Sequence, residues 1–191
     1  MEPIFTKRKS VISSFIAPWI LGVGAKTPDE AKKYIKFGET LNPLYYPANK
    51  SMIDKLGETD VYDGFMKKLF HKNNIDSELS DIVGENVYKP WDCLSGIYQI
   101  EITHEMGLVA RPDGITVNNE CVIMSDNYIT RFYRNTEEEI KIKLLATMAV
   151  WKAKRGLYYI KKIDKKIYIN FDDSEWEDIL NKMKIWAETV F

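Results

Sequence analysis

The residues with the clearest chemical potential lie in Gly107-Leu-Val-Ala-Arg-Pro112-Asp113-Gly114-Ile115. The apolar run reads as a short strand, and Pro-Asp-Gly ends it with one carboxylate at its rim. A carboxylate so placed suits a hard divalent cation, which takes several convergent oxygens and makes a bound water nucleophilic. One Asp does not build such a centre, so the chemistry depends on which side chains join it. The next strand, Cys121-Val-Ile-Met-Ser125, supplies neither an acid nor a base from its body, and Asp126 stands just beyond it. Downstream, Glu139-Ile140-Lys141 offers both groups. Glu139 also fits as the back-capping residue of a helix opened by Thr136, and on a helix Glu139 and Lys141 point about 200° apart. The cap is the preferred reading.

Other chemistry-bearing residues offer less. His71 and His104 have no second ligand at helical or hairpin spacing, and surface or hydrogen-bonded histidines explain them. Cys93 and Cys121 form neither a disulfide framework nor a zinc spacing. Gly22-Val-Gly24 lacks the strand–helix setting and the Lys of a phosphate loop. Glu101 alternates away from Ile100 and Ile102 and reads as a solvated strand position. More suggestive is a basic tract: Lys141, Lys143, Lys152, Lys154, Arg155, Lys161, Lys162, Lys165 and Lys166, interleaved with Trp151, Tyr158, Tyr159 and Tyr168. Charge with stacking groups is what a nucleic-acid strand requires. Solvated lysines over core aromatics would look the same in sequence.

The elements that must position these residues are partly marked by caps. Thr27-Pro28-Asp29-Glu30 predicts a helix through about Phe37. Thr136-Glu137-Glu138-Glu139 predicts a longer one through about Lys154, halted near Gly156. Ser174-Glu175-Trp176-Glu177 predicts a closing helix with Trp176, Ile179, Leu180, Met183 and Trp186 on one face. A further helix is expected over about 51–70. The stretch from Asn73 to Trp91 reads as a loop with a short helical piece. Strands are expected at Gly96–Ile102, Gly107–Ala110 and Cys121–Ser125. Tyr128–Arg134 would extend or follow the third, and Leu157–Lys161 with Lys166–Phe171 make a hairpin.

With 191 residues, 45% of them apolar and 29% charged, the chain suits one soluble domain over 1–191. A net charge of −1 advertises no polyanion partner globally, so a binding face would be local. Cysteine usage points to a reducing, intracellular setting, cytoplasmic or nuclear. Lys7-Arg-Lys9 before the apolar run from Val11 to Ala25 has a secretory layout, but Glu2 and Pro18 argue against it. The run is also short for a membrane span. A buried first helix and turn is the preferred reading, with neither secretion nor membrane insertion expected.

Taken in order, these landmarks resemble the YqaJ-type viral recombinase family, relatives of lambda exonuclease within the PD-(D/E)XK nuclease superfamily. The resemblance spans most of the chain. It rests on Ile12-Ser-Ser-Phe-Ile-Ala-Pro-Trp-Ile-Leu-Gly-Val-Gly-Ala-Lys-Thr-Pro28, on Asn49 with Met52 and Gly57, and on Ala110-Arg-Pro-Asp-Gly-Ile115. It continues through Met148-Ala-Val-Trp-Lys-Ala-Lys-Arg-Gly-Leu-Tyr-Tyr159 and the Trp176 helix. It implies an α/β (α+β) fold, a single nuclease-like domain with a central mixed sheet flanked by helices. It also implies a Mg²⁺ site of a helix Glu, the Pro-Asp-Gly Asp and the Glu of a Glu-x-Lys strand, with the Lys helping to activate water. Only Asp113 matches. Val61 stands where the helix Glu is expected, with Asp60 and Asp63 nearby, and the Glu-x-Lys window reads Val122-Ile-Met-Ser-Asp126. The Gln residues of the family's later helix are missing near Lys143 to Thr147.

Three functions follow from that mismatch. The leading one is a DNA-transaction protein, viral or phage in type and so acting inside a host cell. It has a nuclease-like fold and a decayed metal site, and it binds DNA without cutting through Lys152, Lys154, Arg155, Lys161, Lys162, Lys165 and Lys166. No cofactor is then expected. The second is an active Mg²⁺-dependent nuclease in which Asp113 works with Asp126, Asp60 or Glu139, and Lys141 or a neighbour replaces the strand Lys. The third is an inhibitor or assembly subunit on a borrowed scaffold, with a protein partner or a second copy of itself. Trp19, Trp91 and Trp151 are candidates for an exposed patch in that case.

Overall fold

The computed structural model describes residues 10–37, 70–90, 99–117, 120–126 and 135–190. The helix expected over 51–70 lies outside them apart from Phe70, as do the segment 128–134, Trp91 and Cys93.

Strand β1 (Ser10–Ser13) opens the described chain. The first apolar run therefore begins as a strand rather than a helix. Ser10, Val11 and Ile12 are buried, and β1 runs parallel to β5 (Met106–Val109) from Ser10↔Met106 to Ser13↔Val109. The chain then turns through a 3-10 segment (Ser14–Ile16), with the Ser13 hydroxyl accepting the Phe15 N–H, into the short helix α1 (Ala17–Ile20). Pro18 falls in its first turn, where a missing N–H leaves no bond unmade. Gly22 and Gly24 have positive φ, a backbone region that side chains disfavour, and they turn the chain toward α2 (Pro28–Ala31).

The Thr27 capping box forms as expected. Its helix is shorter than the sequence predicts, because it tightens into a 3-10 turn (Lys32–Tyr34). Strand β2 (Lys36–Phe37) then pairs antiparallel with β1. Helix α3 (Ser77–Val83) is capped by Asp76 and closed by Gly84 in the left-handed conformation. After it come β3 (Val87–Tyr88), β4 (Gln99–Thr103), β6 (Gly114–Thr116) and β7 (Cys121–Asp126).

The strands divide between two mixed sheets. One has the order β2-β1-β5-β4. The other is β3-β6-β7 followed by β8 (Arg155–Ile160) and β9 (Lys165–Asn170). Strands β7 and β8 are parallel over all six residues, from Cys121↔Arg155 to Asp126↔Ile160. The β8–β9 hairpin is the expected one, turning through Lys161–Ile163 and a left-handed Asp164.

Helix α4 (Glu137–Trp151) packs against both sheets. Its buried residues cover every side, from Ile140 and Ile142 through Leu144, Leu145, Met148 and Val150 to Trp151, which is the mark of a fully interior helix. The Trp151 indole N–H donates to Ala110 O at 3.0 Å and ties the helix to the segment leading to Asp113. The helix ends at Lys152, which takes the left-handed role itself (φ 51), earlier than Gly156 would have placed it.

Helix α5 (Asp173–Ala187) closes the fold. Its cap is Asp172, which accepts the Glu175 N–H, and not Ser174, because the carboxylate two residues earlier reaches the same free donors. Ile179, Met183 and Trp186 face the core as expected, and Trp186 donates to Pro28 O.

Candidate functional site

The parallel pairs β1/β5 and β7/β8 direct their carboxyl ends to one side of the molecule. In open α/β sheets, ligands collect at such ends. Asp113 follows β5 there. Its N–H donates to Ile123 O, and its Oδ2 accepts the Ser125 N–H at 2.6 Å. The residue as a whole lies at the surface, yet the protein crowding its carboxyl raises the pKa above the usual 3.8. Hydrogen bonds from Ser125 and the charges of Arg111 and Lys161 oppose that rise without cancelling it.

Asp126 ends β7 on the other face, since neighbouring residues of a strand alternate. Its Oδ2 accepts the Tyr158 hydroxyl at 3.3 Å. Asn135 donates its amide to the same hydroxyl at 3.3 Å and accepts from Lys143 Nζ at 3.2 Å. A polar chain thus runs Asp126–Tyr158–Asn135–Lys143 along the α4 face of the sheet.

Lys143 is the unusual member. It is only 2% exposed, and no described carboxylate lies within ion-pair distance. Burial lowers its pKa from 10.5, against the longer-range pull of Glu139 and Asp126. Its ammonium stands 4.3 Å from the Phe15 ring centre. One turn on, Thr147 donates to Lys143 O at 2.8 Å and takes the Ser14 hydroxyl at 2.9 Å, fixing the start of the 3-10 segment against α4.

Glu139 and Lys141 do not join this group. The Glu139 carboxylate accepts the Thr136 N–H at 3.2 Å, and Thr136 Oγ1 accepts the Glu139 N–H at 3.1 Å, completing the capping box. Lys141 is exposed and pairs with Glu175. Among the described residues no cluster of Asp, Glu, His or Cys could hold a metal ion. Asp113 and Asp126 are turned to opposite faces, and Asp60 and Asp63 lie outside the described residues. Among the described residues, the side chains around Asp113 therefore supply no second carboxylate for a Mg²⁺ centre. His71 Nδ1 caps its own turn by accepting the Asn73 N–H, and the buried Cys121 thiol is pushed up to about 11 by its burial.

The basic tract splits. Lys152, Lys154 and Arg155 lie where β8 begins, beside Glu120 and Cys121. Lys161, Lys162, Lys165 and Lys166 lie at the far end, beside Asp126, about 16 Å away along the strand. Carboxylates take up much of this charge, in the pairs Lys154–Glu120, Arg155–Glu85, Lys161–Glu78 and Lys165–Glu137. Lys166 Nζ donates to Ile82 O.

Sequence reasoning missed Lys143 as a distinct residue. The available signal was a lysine within Ile140–Leu145, among residues that otherwise read as core. It also passed over Phe15 and Tyr34, which are left exposed on either side of Trp19. Trp19 and Trp151, offered as patch residues, are buried.

No family model and no curated protein matches the chain in sequence. Among solved structures it is similar to an alkaline exonuclease, LHK-Exo, from Laribacter hongkongensis. The TM-score is 0.52 and the identity 13%, over 94% of this chain and 87% of that one. The same enzyme in complex with dAMP gives a TM-score of 0.51 at 13% identity over the same shares. The chain has an exonuclease fold. A phage related exonuclease from Haemophilus somnus 129PT also matches, with a TM-score of 0.46 and 12% identity over 94% of this chain and 92% of that one. The mixed α/β architecture expected from the sequence agrees with this fold. No described helix is long and apolar enough to cross a membrane.

Proposed function

We propose that this protein acts in DNA transactions by binding DNA without cutting it, as an accessory protein built on an exonuclease fold. The observation that carries this reading is the arrangement of Asp113. Its carboxylate rests on the Ser125 N–H, and the strand beside it offers Met124 and Ser125 in place of an acid and a lysine. A metal-dependent hydrolase needs several oxygens converging on one point. Here the second carboxylate, Asp126, is bound to Tyr158 on the opposite face. The likeness to LHK-Exo supports DNA as the partner, and the carboxyl ends of the parallel strands supply the surface.

The test uses the purified protein with linear duplex and single-stranded DNA in Mg²⁺ or Mn²⁺. The expected result is a mobility shift at low salt with no loss of substrate length. Robust cleavage that disappears in Asp113→Ala would instead establish an active nuclease with relocated ligands. Absence of any shift at low salt would favour a protein partner.

A further inference from the structure

Beside the Asp113 end of the sheets, a run of rings and ammonium groups passes from the core to the surface, with Trp19 and Lys143 buried and Phe15 and Tyr34 exposed. Lys143 Nζ lies 4.3 Å from the Phe15 ring centre, and Phe15 meets Trp19 edge-on at 5.6 Å. Trp19 meets Tyr34 at 5.2 Å, and Lys26 Nζ lies 4.8 Å from the Trp19 ring and 4.0 Å from the Tyr34 ring.

Three features separate this ladder from ordinary packing. Phe15 is 49% exposed and Tyr34 42%, although core burial is what normally stabilises such rings. Among the described residues neither Lys26 nor Lys143 pairs with a carboxylate, unlike the lysines of the hairpin and α4 surface. The Trp19 indole N–H is buried without an acceptor, where a buried donor is normally bonded.

We infer that the ladder Phe15–Trp19–Tyr34–Lys26 is a docking platform for single-stranded DNA, with unpaired bases stacking on Phe15 and Tyr34, a phosphate lying against Lys26, and the buried Lys143 positioning the Phe15 ring. This inference rests on the DNA-binding reading above and adds the kind of DNA. Aromatic faces bind any unpaired base, because every base has a π-face, whereas a duplex hides those faces between its pairs. The Lys26 ammonium, held over the Trp19 and Tyr34 rings with no carboxylate partner among the described residues, is ready to take a phosphodiester as counter-ion. The ladder joins the Asp126–Tyr158–Asn135 chain through Lys143, so a strand on it would lead to the sheet ends.

The experiment measures fluorescence anisotropy with a labelled oligothymidylate and with a blunt duplex of equal length, in EDTA so that no cleavage intervenes. Wild type is expected to prefer the single strand. Tyr34→Leu and Phe15→Leu should each weaken single-strand binding by about tenfold and leave duplex binding unchanged. Tyr34→Trp should restore it, which a merely unfolded variant would not do. If the single strand binds wild type and all three variants equally, the ladder is overturned while DNA binding stands. If wild type binds neither DNA, both readings fall.

Discussion

Asp113 and Lys143 are both ionisable groups held in conditions that disfavour their charge, and each makes a stability prediction with a definite sign. Asp113 has a raised pKa, so the folded state holds its proton longer than the unfolded chain does. Wild type therefore loses stability as pH rises from 3.8 through the folded value. Asp113→Asn keeps an acceptor for the Ser125 N–H and carries no charge. It should melt at the wild-type temperature below pH 3.8 and at or above it at neutral pH, as calorimetry across that range will read. A variant that melts well below wild type at neutral pH would show that the ionised carboxylate is needed. Lys143 has a lowered pKa, so its charge burdens the fold below that value, and the burden is relieved as pH rises toward 10.5. Lys143→Met should gain on the order of 1 kcal/mol at neutral pH, because a buried charge is replaced by a chain of similar length. The gain should shrink in alkaline buffer, and single-strand affinity should fall in the same variant. Stability rising while binding falls is the pattern of a functional residue that the fold tolerates at a cost. Neither residue's role was legible from sequence. Pro112-Asp113 announces a carboxylate, but not that a backbone N–H twelve residues on already occupies it.

At the scale of elements, the interior helix α4 sets the geometry of everything near Asp113, and two contacts hold it. The first is the capping box at its start, whose Glu139 is buried under Gly24. Gly24 has a φ of +101, and a Cβ there would run into the Glu139 carboxylate. Gly24→Ala combines backbone strain with a displaced cap and should cost about 1–3 kcal/mol or more in denaturant unfolding. The second contact is the Trp151 indole on Ala110 O. Trp151→Phe leaves that carbonyl without its donor and should cost about 1–3 kcal/mol. Amide exchange in the segment 110–113 should quicken in that variant. Much of this level was legible in the sequence. The Thr27 and Thr136 boxes form as spaced, and the alternation in β4 and the hairpin holds. Where reading failed, a nearby group won locally: Asp172 took the cap that Ser174 seemed to offer, and Lys152 ended α4 before Gly156. The strand β1 hid inside an apolar run because a buried parallel strand shows no alternation.

Across the whole molecule, the distribution of paired and unpaired charge decides how DNA binding responds to salt. From sequence, the tract between 141 and 166 looks like one basic surface. In the fold Lys141 and Lys143 sit on α4 and the rest lies at two ends of β8, and Glu175, Glu120, Glu85, Glu78 and Glu137 hold five of its cations. The charge of this tract is thus taken up by acids distant in sequence, which is why composition could not reveal it. A cation that keeps its carboxylate displaces few counter-ions from DNA. For single strands, log K falls against log salt with a slope of about −0.7 per phosphate neutralised. If Lys26 of the ladder acts with Lys162, which pairs with no carboxylate among the described residues, the slope should be about −1.4. Engagement of the entire tract of Lys152, Lys154, Arg155, Lys161, Lys162, Lys165 and Lys166 would make it about −5. Lys26→Ala should reduce the slope by about 0.7, whereas Lys152→Ala, at the far end of β8, should leave it unchanged. Anisotropy titrations at several salt concentrations give these slopes directly. A steep slope insensitive to Lys26→Ala would move the DNA from the ladder to the hairpin.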